Sequence, residues 1–511
     1  MEYYAYYEYL PFDGERFFTI VLQPCKEGKF PIVLCRSPYV ADTVDKSETE
    51  LVERYLASYE KWLARGYAVV FQHCKGHGKS TGAFVPYLHE REDGLFFQSW
   101  VRTLPIYNGE LFLLGGSYTA SLHYATAPFA PDIKGAIFEV QDPERYRLWY
   151  RNGQMRKGHA NWHFNLYKSK NKLEKRYTIQ SFSQLPLQGL SIRALGEEAL
   201  DFEKMLLAPA PDDEFWNTRL GGCDTRNALR SANIPILLTT GYNDFYVGGV
   251  FTTWKEMDEQ TREQSALLVS PYNHGDGRDD IAFPNGKRVE AFGEHYQIDW
   301  FDHVRFHTPL PFPKGKISYY RAFEKGWAHD FYATKTEDVS LPLGEGNKSF
   351  HYRPATPPAF PAEGTFRQTP ERDDILKILL PPFERDIFIK GNMRAELSVQ
   401  STCEDTSFYV RISVQTPDYT YALRHDITSL GYQLTRYEKN AVASLSFRFD
   451  EYAFLLKRGD RLLIEIASTD DNVYVAHTNQ KGAYHLQPSA TDAVNTVHLD
   501  RSRLILPIET E

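Results

Sequence analysis

Ser117, Asp244 and His274 have the residue types and local settings of a hydroxyl nucleophile, an orienting carboxylate and a proton carrier. Ser117 lies in LFLLGGSYTASLHYATA, where a buried-type apolar run ends at Gly115-Gly116 and a small-residue helical pattern begins. A serine on such a strand-to-helix turn lifts its hydroxyl above a sheet. The N–H of the next residue, Tyr118, then sits at a helix start where it can bind an oxyanion. The usual G-x-S-x-G spacing is met except at its last position, Thr119, followed by Ala120. That pair is expected to narrow the space at the helix start and to leave the Tyr118 donor in place. Taken alone, Ser117 could equally be an ordinary helix cap.

The positions of the other two residues argue for chemistry. IPILLTT runs into GYNDFYVGG and places Asp244 just past a strand; ALLVS runs into PYNHGDG and places His274 just past the next. Nucleophile, acid and base thus follow in that order, the acid and the base each at the C-terminal end of a later strand. His274 would take the Ser117 proton and return it to the leaving group, while Asp244 would hold the imidazole tautomer. Should Asp244 be only a loop cap, Asp142 is the next carboxylate in line.

The elements that must position these groups follow from changes of period. Between about residues 30 and 140, FPIVLC, YAVVF, LFLL and AIFEV alternate with helical segments, the pattern of parallel strands buried on both faces. The best helix runs from Ser47 to Arg65, with Leu51, Val52, Tyr55, Leu56, Tyr59, Trp62 and Leu63 on one face and Gly66 as its stop. From about Asp142 the strand pattern lapses into polar, aromatic, helix-like sequence, read as an inserted cap. Strands return at Ile234 and Ala266, with a helix expected from Gly249 to Glu259 between them. Beyond about Glu337 the period becomes two (Ala395, Leu397, Val399; Phe408, Val410, Ile412, Val414; Ala443, Leu445, Phe447, Phe449; Leu462, Ile464, Ile466), which predicts an antiparallel sandwich. PATPPAFPAEG, from Pro354, reads as a linker or long crossing loop.

Composition excludes several classes. The 511 residues, 42% hydrophobic and 24% charged, describe a folded chain of about three domains, aromatic-rich with 33 Phe, 33 Tyr and 8 Trp. Lys plus Arg total 58 against 67 Asp plus Glu, a formal charge of -9 with no basic stripe, so nucleic acid is not an expected partner. Cys25, Cys35, Cys74, Cys223 and Cys403 form no C-x-x-C pair, so a reducing compartment fits better than a disulfide framework. The N-terminal MEYYAYYEYLPFDGERFF has no basic start followed by an apolar core. No run approaches the ~20 apolar residues of a membrane span. A cytoplasmic protein without a membrane partner is expected.

Other motifs have plainer readings. A phosphate loop ending in Gly78-Lys79-Ser80 would need glycine where His73 stands. His73, Cys74 and His77 have no further metal ligands in view and read as a structural loop. His159 and His163 are four apart, but Ala160 occupies the position a zinc protease gives to glutamate. Lys168, Lys170, Lys172, Lys175 and Arg176 read as solvated surface. Trp149, Tyr150, Trp162, Phe164 and Tyr167 either line an acyl pocket or bury the cap, and both readings stay open.

The chain resembles the cocaine esterase and X-Pro dipeptidyl-peptidase group of α/β-hydrolases over nearly its whole length. The likeness rests on PIVLCRSPY, GHGKSTGAF, EDGLFFQSWV, IYNGELFLLGGSY, GYNDFYVGG, PYNHG and the terminal sandwich. It implies an α/β-hydrolase core (residues 1–141 and 225–336), a helical cap (142–224) and a C-terminal jelly roll (337–511). It also implies that Ser117, Asp244 and His274 match the family's triad, and that Tyr39 of SPY joins the Tyr118 N–H in the oxyanion hole. A departure is the segment FQHCKGHGKSTG, where His73, Lys75 and His77 stand in place of the family's Asp and Arg.

The expectation is therefore a serine hydrolase that cleaves a small ester, amide or short peptide through an acyl-enzyme, with no metal or organic cofactor required. The nearest rival is a peptidase releasing dipeptides with proline second, with Glu139, Asp142 and Glu144 as candidate anchors for a free α-amino group. Acyl transfer in a biosynthetic pathway and a non-catalytic ligand-binding protein are the further alternatives. Subunit number is left open, a homo-oligomer included.

Overall fold

The computed structural model describes residues 3–130, 132–167, 182–274, 282–283, 286–324, 326–332 and 334–510. It opens with a hairpin, β1 (Tyr4–Phe12) and β2 (Glu15–Gln23). Asp13 and Gly14 turn it with φ of 51° and 74°, the left-handed pair that matches strand twist. The sequence reading begins the sheet only at Phe30, so this antiparallel edge is an addition to it.

Strands and helices then alternate: β3 (Phe30–Ser37), α1 (Glu48–Ala64), β4 (Ala68–His73), α2 (Glu90–Val101), β5 (Tyr107–Gly116), α3 (Tyr118–Tyr124) and β6 (Ile133–Glu139). The first helix has the expected ends. Ser47 caps it by accepting the Glu50 N–H while the Glu50 carboxylate reaches back to the Ser47 N–H, and Gly66 follows at φ 83°.

The inserted segment is less purely helical than expected. It contains α4 (Arg145–Trp149), a tight hairpin of β7 (Tyr150–Arg151) and β8 (Gln154–Met155), α5 (Lys157–Leu166), α6 (Leu190–Leu195) and α7 (Leu200–Leu206). The basic run from Lys168 to Arg176 lies outside the described residues. Trp149, Phe164, Phe202 and Trp216 are buried together as a cap core.

The sheet resumes with β9 (Ile236–Gly241), α8 (Val247–Glu256), α9 (Glu259–Gln264), β10 (Ala266–Ser270), α10 (Arg288–Phe292), α11 (Tyr296–Phe306), β11 (Ile317–Tyr320) and β12 (Trp327–His329). The helix expected from Gly249 to Glu259 starts two residues earlier and breaks at Met257, because Asp258 caps a new helix by accepting the Thr261 N–H. The ten strands are ordered β1-β2-β4-β3-β5-β6-β9-β10-β11-β12, parallel from β4 to β11 with antiparallel edges. This is the α/β-hydrolase arrangement. Its central strands β5, β9 and β10 all deliver their C-terminal ends to one side.

The remainder is antiparallel: β13 (Thr336–Pro342), β14 (Asn347–Tyr352), β15 (Leu376–Leu379), β16 (Ile387–Gly391), β17 (Arg394–Ser401), β18 (Ser407–Gln415), β19 (Thr420–Ser429), β20 (Ala443–Arg448), β21 (Tyr452–Leu456), β22 (Arg461–Ala467) and β23 (Ala493–Glu509). A seven-stranded sheet built around β23 and a four-stranded sheet β15-β22-β18-β19 form the jelly-roll sandwich. It is fused to the first unit. The Ala322 N–H donates to the Ala453 carbonyl at 3.0 Å, the Leu455 N–H returns to the Ala322 carbonyl at 2.9 Å, and Tyr242 stacks on Tyr452 at 4.5 Å. A buried apolar core therefore runs through both units, which lets the sandwich hold side chains at fixed positions over the sheet.

Candidate active site

Ser117 closes β5 with φ 54° and ψ -136°, a conformation that costs a non-glycine residue energy and is held by its surroundings. Its N–H donates to the Glu139 carbonyl at 2.8 Å, and Thr119 Oγ1 bonds both the N–H and the carbonyl of Gly116 at 2.7 Å. Thr119 thus ties the start of α3 back to the strand it leaves. Gly115 is required there, since a Cβ would lie 2.5 Å from the Thr119 carbonyl oxygen. Tyr118 anchors the helix from below. Its buried hydroxyl donates to Glu90 at 2.6 Å and accepts the Tyr87 N–H at 2.8 Å.

Asp244 lies three residues beyond β9 and is 2% exposed. Its Oδ1 accepts the Tyr246 N–H at 2.8 Å, which turns Oδ2 toward His274 Nδ1 at 3.2 Å. His274 Nε2 is 3.0 Å from Ser117 Oγ. Phe245 stacks on the imidazole at 4.8 Å and Tyr246 meets it edge-on at 5.1 Å. The loop that supplies the carboxylate therefore also walls the ring, so the imidazole is fixed in plane as well as in tautomer. In this arrangement the Asp244 carboxylate selects Nδ1–H and leaves Nε2 free to accept the serine proton.

Tyr39 stands across from Ser117, 45% exposed to the open site. Its oxygen accepts the Trp162 Nε1–H at 2.9 Å. Burial of the hydroxyl among its neighbours pushes its pKa up to about 12, against the hydrogen bonds from Trp162, Ser117 and the Tyr118 backbone that favour the anion. The phenol therefore keeps its proton. With Trp162 donating to the oxygen, the hydroxyl hydrogen is left to point at an oxygen placed beside Ser117. Trp162 thus belongs to the site as well as to the cap, packing 4.8 Å from His159 and 5.0 Å from Tyr118. His159 is held neutral by burial and by the nearby cations Arg145 and Arg156.

These groups open into a cavity of about 750 Å³. One wall carries Ser117, Asp244 and His274; the facing wall comes from the cap (Leu148, Arg156, His159, Trp162) and from the sandwich (Glu363, Tyr409, His425, Tyr474). Every carboxylate on the facing side has fixed partners. Glu363 is held by Arg424 at 3.1 Å and by His425 Nδ1 and N–H at 2.7 Å each, Asp450 by Arg151 at 2.8 Å, and Asp470 by the N–H groups of Phe360 and Asn472 at 3.1 and 3.0 Å.

The three candidate amino-group anchors lie elsewhere. Glu139 is held beneath the turn by Tyr296 at 2.5 Å and Gln297 at 2.8 Å. Asp142 makes a two-pronged pair with Arg147 at 2.7 Å, and Glu144 binds Arg226 at 2.8 Å. Both of these last line an adjoining cavity of about 1040 Å³ that does not contain Ser117. His73 is buried in its loop, where Nδ1 accepts the Lys79 N–H at 3.2 Å, and Lys75 reaches Asp13 at 3.4 Å. His163 pairs with Asp201 at 3.1 Å inside the cap. Among the described residues no cluster of three or more His, Cys, Asp or Glu is spaced for a metal ion, and no helix is long and apolar enough to cross a membrane.

Sequence reasoning missed the sandwich wall and Arg156. The Pro-rich stretch from Pro354, expected as a linker or a long crossing loop, crosses the cavity, with Pro361, Ala362 and Glu363 in its lining. The available signal was its ending in Glu363-Gly364: Gly364 has φ 69°, and its N–H bonds the Ala422 carbonyl at 2.9 Å, pinning the strap to the sandwich.

An α/β-hydrolase core under a cap, with serine, histidine and carboxylate in hydrogen-bonded sequence, is the build of a serine hydrolase. The model of the X-Pro dipeptidyl-peptidase (S15) family matches residues 13–276, and that of the X-Pro dipeptidyl-peptidase C-terminal non-catalytic domain matches residues 312–504. The chain belongs to the X-Pro dipeptidyl-peptidase (S15) family, and it is a serine hydrolase of that family. It is 22% identical to a cocaine esterase of Rhodococcus sp. (strain MB1 Bresler), covering 97% of this chain and 96% of that one. Among solved structures it resembles an aminopeptidase from the marine sediment archaeon Thaumarchaeota archaeon (TM-score 0.80, 18% identity, 99% and 97% of the two chains covered). It also resembles an α-amino acid ester hydrolase (TM-score 0.78, 16% identity, 99% and 97% covered). At these identities the structural likenesses speak for the fold.

Proposed function

We propose that the protein hydrolyses a carboxylic ester through an acyl-enzyme on Ser117. The observation that carries this is the unbroken line from Asp244 through His274 to Ser117 Oγ, opposite a protonated Tyr39. His274 Nε2 takes the serine proton as Oγ attacks the carbonyl carbon. The tetrahedral oxyanion is held by the Tyr39 hydroxyl and the Tyr118 N–H. The imidazolium, steadied by Asp244, then protonates the departing alkoxide. In the second half His274 takes a proton from water, which attacks the acyl carbon and releases the acid and the free serine.

Ester is favoured over an X-Pro dipeptidyl amide by the facing wall. The carboxylates there already accept from protein donors, Glu363 from Arg424 and His425, Asp450 from Arg151 and Asp470 from backbone N–H groups, which weakens their pull on a free α-amino end. The full-length likeness to a cocaine esterase supports the same choice. The test is labelling of wild type and Ser117→Ala with a fluorophosphonate, beside turnover of activated esters and of an X-Pro dipeptidyl amide. Labelling and ester turnover that are both lost in the variant are expected. Labelling retained in Ser117→Ala would move the nucleophile, and faster turnover of the amide would make the enzyme a peptidase.

A further inference from the structure

Arg156 is a cation of the active-site cavity that the mechanism leaves unused. It precedes α5 and lines the Ser117 cavity. Its Nε is buried with no acceptor, and among the described residues its terminal nitrogens form no hydrogen bond or ion pair. The backbone leaves it little freedom. Its N–H donates to the Trp149 carbonyl at 2.8 Å, its main chain pairs with Tyr474 across from the sandwich, and its guanidinium lies 6.0 Å over the Tyr474 ring. That ring is itself fixed, with its hydroxyl 3.0 Å from His425 Nε2.

The neighbouring cations contrast with it. Arg151 uses Nε on Asp426, Nη1 on Asp450 and Nη2 on the Arg448 carbonyl. Arg424 uses its Nη groups on Glu363 and the Glu451 carbonyl, so its charge is paired although its Nε, like that of Arg156, is buried with no acceptor. Asp450 lies close enough to feel the field of Arg156, but Arg151 is its ion-pair partner. Arg156 lines the same cavity as Ser117, His159 and His274, so its guanidinium faces the volume in which the reacting groups stand. Its buried Nε lacks an acceptor, and a carboxylate supplied by a ligand would provide one, pairing with Nε and a terminal nitrogen through two parallel N–H···O bonds.

We propose that Arg156 is a specificity residue and that the substrate bears an anionic group, a carboxylate by preference, at a distance from the scissile carbonyl. This rests on the ester-hydrolase reading and names its substrate class. A preformed cavity of about 750 Å³ has room for an acid carrying a second, free carboxyl group.

The experiment compares kcat/KM for the 4-nitrophenyl monoester of adipic acid with that for the same compound methylated at its free carboxyl. Wild type is expected to prefer the anionic ester by about tenfold or more, roughly one charge-assisted hydrogen bond. Arg156→Met should abolish the preference through the anionic substrate alone, Arg156→Lys should keep part of it, and adipate should inhibit wild type more than Arg156→Met. Fluorophosphonate labelling of Ser117 in each variant reports that the site is intact. Equal rates on the two esters in wild type, or a preference that survives in a labelled Arg156→Met, would overturn the proposal. Loss of labelling in wild type would instead sink the nucleophile assignment on which it rests.

Discussion

The wall of the cavity that carries Ser117, Asp244 and His274 and the wall that faces it are held by different means. The first is made of strand ends. β5, β9 and β10 are locked in one parallel sheet, and each functional side chain is set within four residues of a strand terminus by backbone hydrogen bonds. The second is composite. Tyr409 and His425 stand on the sandwich strands β18 and β19, but the rest is assembled from a cap hairpin, the start of α5, a Pro-rich strap and the turn after β22, joined by ion pairs and aromatic stacking. Substitutions in the first wall should therefore change turnover and leave the fold alone. In the second, the same chemical loss should appear in substrate choice or in stability.

The sharpest break of this contrast would come at Asp244. Asp244→Asn keeps the shape of the loop but offers Nδ1 the wrong partner, and kcat should fall about 10⁴-fold with little change in Tm. Steady-state kinetics on an activated ester would check it. Retained turnover would shift the orienting role to another carboxylate and leave the loop with only a structural part. Tyr39→Phe comes next. The ring and its place in the wall survive, and one oxyanion donor is lost, so kcat should drop about 10²–10³-fold while KM stays near its wild-type value. A rise in KM with kcat unchanged would mean that the hydroxyl binds the ground state and that the oxyanion relies on the Tyr118 N–H.

The same contrast explains what could be read before the structure. The first wall was legible because its cues are local and covalently ordered: an apolar run, two glycines and a serine; an apolar run and Asn-Asp; an apolar run and Asn-His. Each cue fixes a residue at a strand end, and the parallel sheet brings the ends together. The hairpin at Asp13-Gly14 has an equally local cue, an Asp-Gly pair between two aromatic-rich runs, but those runs lack the continuous apolar character of the parallel strands. The facing wall carries no such cue. Arg156 and Tyr474 are 318 positions apart in sequence, and their backbone pairing depends on how a whole sandwich docks. Pro354 to Gly364 has the composition of a linker or long loop, and the bonds of Phe360, Glu363 and Gly364 to the sandwich, which make it a strap, join residues far apart in sequence. Trp162 was visible as a cap aromatic, but that its indole N–H would orient Tyr39 depends on the cap closing over residues 123 positions away.

Glu363 tests the second wall with the smallest expected effect. Contact with His425 and Arg424 outweighs burial and lowers its pKa to about 2. A carboxyl group whose pKa is lower in the folded chain binds fewer protons there than when unfolded. Its stabilising contribution is therefore present above its ordinary value near 4.5 and is lost as pH falls toward 2. Glu363→Gln should remove on the order of 2 kcal/mol at pH 7 and flatten the fall in stability between pH 5 and 3, because the buried Arg424 loses its counter-charge at every pH. Urea midpoints across that range would measure it, alongside turnover of a small neutral ester, which should be unchanged. If stability holds while KM for an amino-bearing ester rises, Glu363 is a ligand rather than a brace. The facing wall would then recognise a cation through the sandwich, and the preference assigned to Arg156 would have to compete with it across the same cavity.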